Sequence, residues 1–183
     1  MSSAAIAIRD AVRSRTENLR RFAKISSIGV PQLQAEDLPY CAIFISREAM
    51  APDGDSNVGE PRFVSDVTIA ISVVRAFSET GVLDADTDQD FADITNALLT
   101  DPTFVRFGRD PLFESVERID TRRLYPQVAE TYVCELRMEM TFRTRIGFEP
   151  VVFDDYHDTV LTVRPVANPD APAITVLIDQ SDA

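Results

Sequence analysis

With 183 residues the chain is long enough for one domain plus a small appendage, and for a core that needs neither a disulfide nor a metal. A hydrophobic content of 45% excludes disorder of the body, and no apolar run approaches the roughly 18 residues needed to cross a membrane. A net charge of -12 argues against general nucleic-acid binding, which depends on Lys and Arg to neutralise phosphate.

In chain order, Ser2 or Ser3 can cap a first helix reaching about Lys24, with Ile8, Val12, Leu19 and Phe22 along one stripe. Arg9 and Asp10 come too early for a secretory signal peptide. The other face of the helix carries Arg9, Arg13, Arg15, Arg20, Arg21 and Lys24 against Asp10 and Glu17. Such a face is either solvated or a contact for an acidic neighbour, and Arg9, Arg13 and Arg20 are the candidates for that contact. Lys24 is the sole lysine beside 17 arginines, a skew that a GC-rich genome explains as readily as bidentate pairing.

Residues 39–47 read as a central, almost wholly apolar strand, followed by a loop over 48–60 with Pro52, Gly54 and Gly59. Residues 62–77 form a long strand with Val67, Ile69, Ile71 and Val73 on alternate positions. A second helix spans 86–100, capped by Thr87 or Asp88 and ended by Asp101-Pro102. Residues 113–124 resemble an exposed strand. Residues 130–145 alternate strictly, Tyr132, Cys134, Leu136, Met138, Met140 and Phe142 against Glu135, Arg137, Glu139, Thr141 and Arg143, which marks an antiparallel strand with one wet face. Beyond Pro150 the chain turns acidic, with short strand-like runs at 159–164 and 173–178.

The expected fold is therefore α+β, a mostly antiparallel sheet with two helices on one face in the order α-β-β-α-β-β. A C-terminal β hairpin or arm follows, dividing the chain into a domain at 1–146 and an acidic extension at 147–183. Strands of about 16 residues would reach some 50 Å, so they either bend or project an edge that invites pairing with a neighbour.

Chemistry-bearing motifs are scarce. His157 is the single histidine and has no GxSxG elbow to serve. Cys41 and Cys134 stand far apart in apolar runs, as free buried thiols would. The acids from Asp84 to Asp90 suggest a calcium loop, but Gln89 and Thr95 occupy the positions that require glycine and bidentate glutamate, and a helix N-terminus accounts for the acids equally well. Asp53-Gly54-Asp55-Ser56-Asn57 fails at the same two positions. No phosphate-binding glycine loop occurs. The expectation is a non-enzyme with no cofactor and no metal.

Several segments together resemble a known family. They are Ile8-Arg9-Asp10-Ala11-Val12 in the first helix, the apolar strand after Leu38-Pro39-Tyr40, the long alternating strand, the helix ending Ala97-Leu98-Leu99, and Glu130 to Phe142. The arrangement over about 1–146 is similar to the tail terminator (tail completion) proteins of long-tailed bacteriophages, including the lambda-type minor tail protein U group. That resemblance implies a structural virion protein forming a hexameric ring at the head-proximal end of the tail, assembled in the bacterial host cytoplasm. Its partners would be further copies of itself, the tail tube protein and the head–tail connector protein, with DNA passing the lumen without specific binding. Arg122 and Arg123 are a second candidate contact. Alternative readings are a head–tail connector or neck protein, and a metal- or ligand-binding module using the acids at 84–93.

Overall fold

The fold is that of a computed structural model, which describes residues 4–29, 33–54, 61–76, 83–105, 111–125, 127–128, 131–148, 158–163 and 174–179. The chain divides into two compact units, Met1–Phe148 and Glu149–Ala183. The first is an α+β unit of two helices, α1 (Ala4–Asn18) and α2 (Leu83–Leu99), and strands β1 (Lys24–Ser26), β2 (Tyr40–Pro52), β3 (Arg62–Ala76), β4 (Ser115–Leu124), β5 (Gln127–Val128) and β6 (Thr131–Gly147). The second holds an antiparallel pair, β7 (Asp158–Val163) and β8 (Ile174–Asp179).

The sheet of the first unit runs β1-β2-β3-β6-β4, with β5 also on β6. Every pairing is antiparallel except that of β1 with β2. The alternation of β3 and β6 has its physical meaning here. Val67, Ile69, Ile71 and Val73 line one face with Leu136, Met138, Met140 and Phe142, and both helices pack there through Ala5, Ile8, Val12, Ile94 and Leu98. Phe104, Phe113 and Phe142 close one end of this core with ring centroids 4.9–5.9 Å apart, tilted or edge-on as ring quadrupoles prefer. Cys41 and Cys134 are fully buried. Burial and, secondarily, the nearby Asp90 charge push the Cys41 thiol up from its ordinary value, so it stays protonated and inert.

Three boundaries differ from the sequence reading. The first helix stops at Asn18 instead of Lys24, because Arg20 takes a left-handed conformation (φ 53°) after three-residue turns from Leu19 to Thr16 and Arg20 to Glu17. Residues 24–26 leave the helix to form β1. The strand expected over 39–47 runs on to Pro52, since Ala49, Met50 and Ala51 pair with Asp66, Ser65 and Val64. The second helix starts at Leu83, which places Thr87 inside it and fully buried, so Thr87 is no cap.

The long strands do not bend by bulging. β3 and β6 pair from Arg62↔Gly147 to Ala76↔Val133 without a register shift, and the bulges lie on their flanking partners, at Ile45/Arg47 in β2 and Val116/Arg118 in β4.

Candidate functional site

The face of the sheet away from the helices is built by the polar half of β6. Beside it, the small side chains of Ala70 and Ser72 on β3 oppose Glu139 and Arg137, leaving room above the sheet. Arg137 uses that room, with its guanidinium 5.4 Å from the centroid of Phe44 in β2 and 3.0 Å from Glu139. Its Nε is buried and has no hydrogen-bond partner among the described residues. Phe44 belongs to a small apolar cluster on this face with Tyr40, Ala42, Val74 and Val133.

Edge strand β4 completes the face, and its bulge decides which residues appear there. Before the bulge Val116 pairs with Phe142; after it Ile119 pairs with Met140. The inserted residue lets two apolar side chains of opposite parity both face the helices. It also turns Arg118, Asp120 and Arg122 outward. Arg122 then stands directly opposite Arg137, and Asp120 directly opposite Glu139. Like charges facing each other across a pair of strands destabilise it. Salt bridges along each strand, Arg118 to Asp120 at 2.5 Å and Arg137 to Glu139 at 3.0 Å, offset part of that cost. Arg122 has no acidic partner within 4.0 Å among the described residues. A shallow depression of about 230 Å³ is lined by Asp120, Thr121, Arg122, Arg137 and Glu139.

β4 is exposed almost throughout: Glu117, Arg118 and every residue from Asp120 to Tyr125 face solvent. Among the described residues its only strand partner is β6. The same register holds from Leu124↔Glu135 in β4 to Gln127↔Tyr132 in β5, so β5 lies on the same side of β6 as β4. Backbone groups on the outer side of such an edge are a template for a further strand.

The arginines proposed from sequence fall in different places. Arg9 bonds Asp10 at 2.7 and 2.9 Å, and Arg13 bonds Glu17 and the Ser27 hydroxyl, each at 2.7 Å. Arg20 is exposed. These three belong to or follow α1, which packs over β2 on the helix-covered face, whereas Arg122 lies on the opposite face at the far edge. Arg123 points back toward α2 and pairs with Asp88. The other basic residues of the first helix segment bind it to the rest of the fold: Arg15 to Asp101 at 2.6 Å, Arg21 to Asp90 and Asp93, and Lys24 to Asp37. Sequence reasoning missed Asp120, Arg137 and Glu139, because nothing short of the strand register reveals their pairing.

Three of the acids at 84–93 are engaged by arginines as well: Asp88 by Arg123, Asp93 by Arg21, and Asp90 by two of them. Asp90, fully buried, receives Arg75 at 2.5 and 2.9 Å and Arg21 at 3.0 Å. Among the described residues no cluster of His, Cys, Asp or Glu has the grouping of a metal site. His157 and residues 55–60 lie outside the described residues. Among the described residues no helix is long and apolar enough to cross a membrane. No protein-family model matches the chain, and no curated protein sequence matches it.

Proposed function

We propose that the chain is a structural virion protein whose copies assemble into a ring, hexameric by its family resemblance, that caps a phage tail tube, ends its polymerisation and presents a face for joining the head. The observation that carries this reading is the β4 edge, ten residues of largely exposed strand whose outer side meets no other strand among the described residues. An edge of that length is a liability in a protein that works alone and an asset in one that assembles. The resemblance of residues 1–146 to tail terminator proteins supplies the particular assembly. The net charge of -12 suits a ring whose lumen DNA must pass without sticking.

The test is polymerisation of the cognate tail tube protein with and without the chain, followed by electron microscopy of the tubes. The expected result is that growth halts and rings sit on one end of each tube. Tubes that grow unchanged, with no chain at their ends, would overturn the reading. Rings found only on head-side connectors would turn it into a neck protein.

A further inference from the structure

The charges on β4 are self-complementary, and we propose that this edge pairs antiparallel with β4 of a second copy of the chain, about a two-fold axis at Thr121. The inference stands without the tail-tube reading, since it uses only the edge and its register.

Side chains must keep their faces when an edge is extended, so the outward residues Arg118, Asp120, Arg122 and Leu124 have to oppose outward residues of the partner strand. That leaves few alignments. With the axis at Asp120 or at Arg122, an identical charge meets itself; with the axis at Ile119, Arg118 meets Asp120 but Arg122 falls against the bulge at Val116/Arg118 with no acid opposite it. With the axis at Thr121, Asp120 of each copy faces Arg122 of the other, twice by symmetry. The match then extends inward. Within one chain Asp120 opposes Glu139 and Arg122 opposes Arg137. Across the joined sheets the acidic row Glu139–Asp120 would run into the basic row Arg122–Arg137 of the second copy, and the reverse row would do the same. A like-charge arrangement that is unfavourable in one chain becomes a set of opposed pairs in two. Arg122, without an acidic partner among the described residues, gains one.

A two-fold contact cannot lie within a polar ring that caps a single tube end. The dimer is therefore a separate state that keeps the β4 edge covered, and it must open wherever that edge is needed by another neighbour.

The test uses the full-length protein in sedimentation velocity from about 1 to about 100 µM, a range that brackets a weak to moderate dimer. The wild type is expected to pass from monomer to dimer. Asp120→Arg sets arginine against arginine across the two-fold axis, and Arg122→Asp sets aspartate against aspartate there. Each alone is expected to raise the dissociation constant about tenfold or more. Mixed in equal amounts, the two variants present two arginines on one edge and two aspartates on the other, and are expected to recover a heterodimer within about threefold of wild-type affinity. The double variant is expected to recover the homodimer. Loss through misfolding is separated by the monomers' own stability: each single change removes one like-charge pair with β6, so thermal midpoints are expected to hold or rise. A wild type that stays monomeric throughout the range would overturn the proposal. So would a dimer that Arg122→Asp leaves unchanged, or weakened variants that mixing fails to rescue. None of these outcomes touches the tube-capping assay, so the two readings fail separately.

Discussion

Asp90 is the residue on which the helix-covered side of the sheet is anchored. Its carboxylate takes two hydrogen bonds from Arg75 on β3 and lies 3.0 Å from Arg21, just beyond α1. Arg75 is raised from its ordinary value, first by the hydrogen bond to Asp90. Replacing a fully buried partner leaves two guanidinium groups facing a neutral amide, so Asp90→Asn is expected to cost about 3 kcal/mol in urea unfolding. The exposed pair of Asp88 with Arg123 makes the control, and Asp88→Asn is expected to cost under about 1 kcal/mol. Equal effects from the two would refute the assignment. Asp101 acts at the end of α2, where its carboxylate is held below the ordinary range by hydrogen bonds from the Thr103 hydroxyl and amide, and then by Arg15. A carboxyl depressed in the folded state adds stability above its unfolded value, and that contribution disappears as pH falls through the folded one. Between about pH 4 and pH 2 the wild type is therefore expected to lose more stability than Asp101→Asn, measured as urea midpoints. Parallel pH profiles for the two proteins would remove Asp101 from the acid response.

At the scale of elements, what the sequence disclosed depended on how far each signal was local. The alternation from Tyr132 to Phe142 named β6 and its buried face because burial on one side of a strand imposes a period of two. The same alternation carried Val67 to Val73 into β3. The end of α1 was hidden: residues 19–24 keep a helical stripe, and no glycine or proline announces the stop. Tertiary packing decided it, with Leu19, Phe22 and Ile25 all set against the core once the chain turned at Arg20. β2 was cut short after Arg47 in the sequence reading by Glu48 and Pro52, which look like loop residues. In the structure they occupy an arm whose partner, β3, is itself long enough to support them. The interaction surface was the least legible part. Asp120, Arg122, Arg137 and Glu139 become a charge pattern only once the β4 bulge sets their register, and the one mark of that bulge in the residue pattern is the break in alternation between Val116 and Ile119.

For the whole molecule, the question is whether the acidic C-terminal unit carries any part of the fold or the assembly. The hydrophobic core of the first unit runs from Ala5 to Phe142. β6 ends at Gly147, and Phe148 closes the unit by donating its N–H to the Pro61 carbonyl and setting its ring edge-on to Phe63. A cut after Phe148 thus falls at the boundary between the two compact units and leaves the core of the first one whole. The fragment Met1–Phe148 is expected to unfold cooperatively, with a thermal midpoint within about 4 °C of the full chain. Residues 149–183 hold seven acids and one arginine, half of the net charge of -12. Copies carrying less like charge repel one another less, so the β4 pairing is expected to tighten in the fragment, most visibly at low salt where repulsion is unscreened. A fragment that dimerises more weakly than the full chain would mean instead that the C-terminal unit supplies contacts of its own, and that the β4 edge is only part of the interface.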